Sequence, residues 1–331
     1  MASATRTLRS EIMQDKIRTT VITGFLGAGK TTLLNHLVSQ PTEKFALLVN
    51  EVGSVHIDEA LIERSDEEMI ELTNGCICCS IRGDLRDALL RIAKRRRDGE
   101  LSFDRLLIET TGVADPGPIL QTFYFEPAVE QSYQISSVVT VIDAYHLERQ
   151  LTFQENVKQI GFADVLILNK MDLVDVSERE TLTALLRERN PSAAIIETEQ
   201  GQLESDRLFE TFHFPKEEQV RLSQQTDQIH QSVEDFTALT IVEERPLNRN
   251  RFGMVLREVL EAYAEDLYRY KGIIHFADTD RKVILQGTGM IYGTAIREPF
   301  SEQPKTTLVF IGKGLDEQAI RKGIEAAIEH G

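Results

Sequence analysis

The chain has 331 residues, enough for one large or two medium domains, and its composition is that of a globular protein rather than a disordered or fibrous one. Its 37 lysines and arginines against 53 aspartates and glutamates give a formal charge of −16, which disfavours broad binding to nucleic acid or to an anionic membrane and favours a partner with a basic patch. No stretch reaches the roughly 18 uninterrupted apolar residues of a membrane helix, and Cys76, Cys78 and Cys79 lie too close together for a disulfide framework, so a thiolate site in a reducing compartment, the cytoplasm, is expected.

Residues 1–18 carry Arg6, Arg9, Lys16 and Arg18 without the apolar stretch of a secretory signal, and are expected to extend ahead of the first strand. From there short apolar runs alternate with helical patterns. Strands are predicted at Thr19–Thr23, Phe45–Val49, Arg105–Glu109, Ser137–Ile142, Asp164–Leu168 and Ala193–Glu197. Each is rich in Val, Ile or Leu with little polar alternation, the pattern of a parallel sheet covered on both faces. Helices are predicted at Thr31–Ser39, Asp84–Lys94 and Ser177–Glu188; in the second, Leu85, Ala88, Leu89 and Ile92 recur at helical spacing. The basic run Lys94–Arg97 reads as a solvated helix end favoured by the dipole. With right-handed crossovers this is a doubly wound, mostly parallel α/β domain over residues 19–200.

Across residues 201–234 the strand signal fades and Gln, Glu and Asp accumulate, as in a connector. Residues 235–331 then read as a smaller α+β domain. An apolar run, Phe236–Val242, precedes a long helix, Asn250–Leu267, and short strands at Ile273–Phe276, Lys282–Gln286 and Thr307–Ile311. A last helix, Asp316–Ile328, has Asp316 as its cap.

The chemistry is concentrated in the first domain. Gly24-Phe25-Leu26-Gly27-Ala28-Gly29-Lys30-Thr31 matches the phosphate-loop pattern between a buried strand and a helix, with Thr32 next in line. Glycines let backbone N–H groups turn inward around phosphates, Lys30 reaches the β and γ oxygens, and Thr31 offers its hydroxyl to Mg²⁺. Asn169-Lys170-Met171-Asp172 follows a predicted strand and matches N-K-x-D, whose Asp accepts from the N1 and N2 groups of guanine; adenine has no such donor pair, so GTP is favoured over ATP. Glu109-Thr110-Thr111-Gly112 ends another strand, where a carboxylate can hold Mg²⁺ and the Gly112 N–H can sense the γ-phosphate. The next residue, Val113, cannot orient a water, so slow intrinsic turnover is expected. Asn50–His56 fills the place of a first switch loop, where Glu51 and Asp58 are candidates for Mg²⁺ or water contacts and equally for plain surface roles.

Gly75-Cys76-Ile77-Cys78-Cys79 packs three soft ligands together, as for Zn²⁺ or a neighbouring metal, with no fourth ligand at a familiar spacing. An open shell suits transfer to a target; a redox thiol pair and inert packing are the rival readings.

Together these residues resemble the CobW family of P-loop metallochaperone GTPases. The resembling blocks are GFLGAGKTTLLNHL (Gly24–Leu37), TNGCICCSIRGDL (Thr73–Leu85), IETTGVADPGPI (Ile108–Ile119) and NKMD (Asn169–Asp172). The segments RYKGIIHF, ILQGTGMIY and TTLVFIGKGL look like the family's C-terminal domain, and with DPGPILQTF they look closest to its YjiA branch of zinc-binding GTPases. The resemblance implies GTP-gated handling of a metal, zinc first and cobalt second, held by Cys76, Cys78 and Cys79 and released to a client metalloprotein that the C-terminal domain would contact. Two departures stand out. The connector has only His213 and His230 nearby where many members carry a histidine-rich tract, and Val49 and Ser54 replace glutamates tied to a second metal site in the YjiA branch, leaving Glu51 or His56 to rebuild it. The alternative is a GTP-dependent regulatory switch with redox or structural thiols. A nucleotide kinase would need an acceptor-binding constellation that the sequence does not offer. A homo-oligomer is compatible with the sequence.

Overall fold

The computed structural model describes residues 16–40, 43–49, 69–71, 81–209, 228–231, 236–264 and 266–329. In chain order the elements begin β1 (Ile17–Thr23), α1 (Lys30–Val38), β2 (Phe45–Val49), β3 (Met69–Glu71), α2 (Ile81–Arg97), β4 (Arg105–Glu109), α3 (Gly117–Phe125) and α4 (Pro127–Ser132). They continue with β5 (Tyr133–Asp143), α5 (Leu147–Gln150), α6 (Gln154–Phe162), β6 (Val165–Asn169), α7 (Val176–Arg189), β7 (Ala194–Glu197) and α8 (Ser205–Phe209). The remainder is β8 (Gln228–Gln231), β9 (Phe236–Glu243), α9 (Arg249–Ala262), β10 (Leu267–Ile274), β11 (Arg281–Thr288), β12 (Ile291–Pro299), β13 (Thr306–Lys313) and α10 (Glu317–Ala326). The described residues of 1–150, 165–174 and 196–213 form one compact unit, and those of 151–164, 175–195 and 214–331 form a second.

The first sheet has seven strands in the order β3-β2-β4-β1-β5-β6-β7. Pairings from β3 through β6 are all parallel, so the strands deliver their carboxyl ends to one edge. Register puts Ile22 opposite Glu109, and Asp143 opposite Asn169. Central strands are buried on both faces, as the uniformly apolar runs require. β5 starts at Tyr133, ahead of the expected Ser137, because Tyr133–Ile135 pair with Ile17–Thr19 of β1; the buried Tyr133 hydroxyl donates to the Leu89 carbonyl of α2 at 2.7 Å.

The second sheet has six strands in the order β12-β11-β10-β13-β9-β8, and its pairings are antiparallel. α9 and α10 contribute Phe252, Leu256, Ile320 and Ile324 to a core with Leu239, Tyr270, Leu285 and Phe310 of the sheet. α6 packs on β10 and β13, and α7 on β9. Central strands are therefore buried along nearly their whole length despite their antiparallel pairing.

Here the structure corrects the sequence reading. The helix expected over Asn250–Leu267 stops at Ala262, and Leu267 opens β10. The N–H groups of Asp266 and Leu267 both donate to the Tyr263 carbonyl, at 3.0 and 2.8 Å, and close a turn there. β10 was masked by Arg269 and Lys271, which resemble solvated positions but are 7% and 3% exposed. Both pair with Asp164, the residue before β6; Lys271 Nζ lies 3.2 Å from its Oδ1. Of the expected strand Ile273–Phe276, only Ile273 and Ile274 belong to this longer one, as its last two residues. β12 is an edge strand with exposed Tyr292 and Ile296, a Gly at 293 and a Pro at 299, so it gave little strand signal. Asp316 caps α10 as expected, accepting from the Ala319 N–H at 3.0 Å.

Candidate functional site

Parallel strands bring the segments after β1, β4, β5 and β6 together at one edge, where ligands bind in sheets of this kind. After β1, Gly24, Gly27 and Gly29 take φ values of 136°, 75° and 100°. A Cβ at Gly29 would collide with the Asn169 side-chain amide, so both backbone conformation and space demand glycine there. α1 begins directly at Lys30 with no side-chain cap on its first N–H groups, an arrangement that suits an anionic oxygen.

The buried Lys30 ammonium donates to the carbonyls of Gly24 at 2.7 Å and Phe25 at 3.2 Å, which holds it within the loop. Burial lowers its pKa from the ordinary lysine value, and the Glu109 carboxylate partly opposes this. Thr31 Oγ1 donates to Glu109 Oε1 at 3.3 Å. This hydroxyl and carboxylate are hard oxygen ligands of the kind Mg²⁺ takes, so the residues present fit that ion. Thr32 is exposed on the next position of the helix. Beyond β4, Thr110 bonds back to β1, its Oγ1 2.8 Å from Thr23 Oγ1. Gly112 abuts the phosphate-loop backbone: a Cβ there would sit 2.7 Å from the Leu26 nitrogen. Val113 is 51% exposed and presents only carbon.

Asn169 ties three segments together. Its Nδ2 donates to the Ala28 carbonyl at 2.9 Å, while its Oδ1 accepts from the Gly201 N–H at 2.9 Å and Thr198 Oγ1 at 3.2 Å. Lys170 is left-handed, with φ of 64°, and its Nζ donates to Asp143 Oδ2 at 2.7 Å. Asp172 is exposed in a short 3-10 turn, Met171–Leu173.

The sequence reading missed Asp143, His146, Thr198 and Gly201. Asp143 ends a long buried strand beside the one carrying N-K-x-D, and an acid at that place was the available signal. Burial raises its pKa, but hydrogen bonds from Lys170 and His146 outweigh that and hold the carboxyl below the usual range. Gly201 was assigned to the connector; its contact with Asn169 depends on the tight turn in which Gln200 and Gly201 both have positive φ, a conformation the local sequence signalled only through the glycine.

The expected metal-site residues Cys76, Cys78 and Cys79, and the switch candidates Glu51, Ser54, His56 and Asp58, lie outside the described residues. Val49 ends β2. Among the described residues no group of three or more His, Cys, Asp or Glu could hold a metal ion, and no helix is long and apolar enough to cross a membrane.

A family model for the CobW/HypB/UreG nucleotide-binding domain matches residues 18–197, and one for the cobalamin synthesis protein CobW C-terminal domain matches residues 236–328. The zinc chaperone YjiA of Escherichia coli is 36% identical over 309 residues, covering 92% of this chain and 96% of that protein. The zinc chaperone CobW of Pseudomonas aeruginosa is 29% identical over 362 residues, covering 95% of this chain and 92% of its own. A zinc-regulated GTPase metalloprotein activator of Schizosaccharomyces pombe is 37% identical over 199 residues, which cover 57% of this chain and 47% of that protein. The crystal structure of Zn(II)-bound YjiA GTPase from E. coli superposes with a TM-score of 0.72 at 29% identity, over 95% of this chain and 99% of that one.

Proposed function

Because the chain belongs to the CobW/HypB/UreG family of nucleotide-binding proteins, with a CobW C-terminal domain, we propose that it is a GTP-hydrolysing metal chaperone. Zinc is the proposed cargo and cobalt the second choice, held by Cys76, Cys78 and Cys79 and passed to a client metalloprotein when GTP is hydrolysed. Relatives named as zinc chaperones over nearly the whole chain support this reading. The observation that carries it is Asn169, which bonds the phosphate loop on one side and the Thr198–Gly201 turn on the other, so that a phosphate cradle and a base-reading loop form one site.

In this reading the N–H groups of Gly24, Gly27, Ala28 and Gly29 surround the phosphates, and the Lys30 ammonium moves from the loop carbonyls to the β and γ oxygens. Thr31 and Glu109 would hold Mg²⁺, with Glu51 a further candidate, and Thr32 follows at the helix start. The ion, when bound, neutralises charge on the phosphate oxygens. Gly112 senses the γ-phosphate through its N–H, and Asn169, Lys170 and Asp172 select guanine. Val113 offers no group that could aim a water, so turnover is slow until a partner or the cargo supplies one. The nucleotide domain is proposed to run over residues 19–200, after an extension at 1–18, with a connector at 201–234 and the client-facing domain at 235–331. The proposed setting is the cytoplasm, and sedimentation of the full chain tests for a homo-oligomer.

The test is the affinity for Zn²⁺ and Co²⁺, by competition with a chromophoric chelator, in GDP and in a non-hydrolysable GTP analogue, with Cys78→Ser in parallel. Tight binding that depends on Cys78 and differs between nucleotides is the expected result. Binding indifferent to both would leave a guanine-nucleotide switch and remove the chaperone mechanism.

A further inference from the structure

The N-K-x-D motif supplies an amide and a carboxylate with evident partners, but its lysine has a partner the motif does not contain. Lys170 Nζ donates to Asp143 Oδ2 at 2.7 Å, and Asp143 is only 3% exposed. The pairing follows from register: Asp143 stands opposite Asn169 in the parallel pair β5–β6, so the residue after Asn169 begins beside the Asp143 carboxylate. Asp143 also organises its own loop. His146 Nδ1 lies 3.0 Å from the same Oδ2, and the His146 N–H donates to Oδ1 at 3.3 Å, closing the 3-10 turn Ala144–His146. That turn is adjacent to the 3-10 turn holding Asp172. The exposed Tyr145 ring packs edge-on against His146 with centroids 4.9 Å apart.

Lys170 needs such an anchor. It sits in the left-handed region, which is strained for a side-chain-bearing residue and persists only where its surroundings hold it. On one side Asn169 is bonded to the phosphate loop, and on the other the Met171 N–H donates to the Thr198 carbonyl at 3.2 Å. The side chain itself is free to rotate about four bonds, and Asp143 removes that freedom with a charge-assisted bond at a buried acceptor.

We propose that Asp143 is a positioning residue for guanine-nucleotide binding, acting through Lys170 to hold the base-recognition loop in its binding shape. The inference rests on the GTPase reading. Asp143 touches neither phosphate nor metal ligands in it, so its loss weakens binding and leaves the bond-breaking step alone.

The experiment uses the full chain with Mg²⁺ and compares wild type with Asp143→Asn, Lys170→Met and the double variant. Displacement of a fluorescent mant-GDP by GDP and ADP gives affinity and base preference, and steady-state hydrolysis gives kcat and KM. Asp143→Asn is expected to raise the Kd for GDP and the KM for GTP about tenfold, with kcat within about twofold. Lys170→Met should lose at least as much, and the double variant should be no worse than Lys170→Met alone, because Asp143 acts through that lysine. Unchanged affinity in Asp143→Asn, additive effects in the double variant, or a fall in kcat with KM unchanged would each overturn the inference. Should Asp143→Asn fail to fold, Lys170→Met decides alone: unchanged affinity there overturns it. A wild type that prefers ADP or binds no guanine nucleotide would instead overturn the GTPase reading itself.

Discussion

The two sheets treat charge in opposite ways. In the parallel sheet the charged groups stand at or just past strand ends: Glu109 closes β4, Asp143 closes β5, Lys30 follows the β1 loop and Lys170 follows β6. In the antiparallel sheet Arg269 and Lys271 stand in the middle of β10, buried, with Asp164 as their shared counter-charge. Charges at a strand edge keep valences that a phosphate, a metal ion or a base can complete. Charges in mid-strand must be satisfied by the protein, because no ligand reaches them. Burial of an ion therefore indicates a binding site only when it lies where the strands open.

That contrast can be broken most severely at Lys30. Lys30→Met removes a buried ammonium while keeping its shape, so turnover of GTP should fall by roughly 10³-fold. The melting temperature should barely move, since an apolar replacement relieves the burial that lowers the Lys30 pKa. Single-turnover hydrolysis and thermal unfolding read the two effects; a loss below tenfold would remove Lys30 from the catalytic role.

Asp164 should show the reverse. Asp164→Asn removes a carboxylate that both buried cations pair with and is expected to destabilise the second unit by about 3–5 kcal/mol. Replacing all three residues with apolar side chains of similar volume should recover most of that loss. Denaturant unfolding checks both, and a cost under about 1 kcal/mol for Asp164→Asn would mean that water reaches the cluster.

At the base-reading loop the expected effect is smaller and concerns selectivity. Asp172→Asn exchanges a charged acceptor for an amide, which should weaken GDP binding by about 2 kcal/mol, roughly thirtyfold. Because the new amide can donate to the additional carbonyl of xanthine, XDP binding should improve in the same titration. Equal affinity for GDP in variant and wild type would take Asp172 out of base recognition.

The same division explains what was legible beforehand. The strand-edge groups follow short patterns, because phosphate and guanine geometry fixes which residue types stand at which spacing; β2 and β4 were legible to the residue because β2 is a pure apolar run and Arg105 and Glu109 bracket the apolar centre of β4. Asp143 escaped because its role comes from register with Asn169, a relation across 26 residues that no local pattern displays. β10 escaped because Arg269 and Lys271 pair with Asp164, more than 100 positions away, and local reading assigns such charges to solvent. Patterns set by a ligand are local in sequence, and those set by tertiary pairing are not.

The smallest effect tests a feature that was local and was read correctly. Asp316 ends the loop before α10, and its Oδ1 accepts from the Ala319 N–H at 3.0 Å, while its own N–H donates to the Tyr263 hydroxyl at 3.1 Å. The first contact satisfies one of the N–H donors that a helix N-terminus leaves unpaired, and the carboxylate also complements the helix dipole. Asp316→Ala removes both and should cost about 1 kcal/mol in denaturant unfolding, whereas Asp316→Asn keeps the acceptor and should cost only a few tenths. If Asn were as damaging as Ala, the dipole term rather than the hydrogen bond would hold this end of the helix. If neither variant moved the midpoint, α10 would owe its place to Ile320 and Ile324, which bury into the sheet core from its other face.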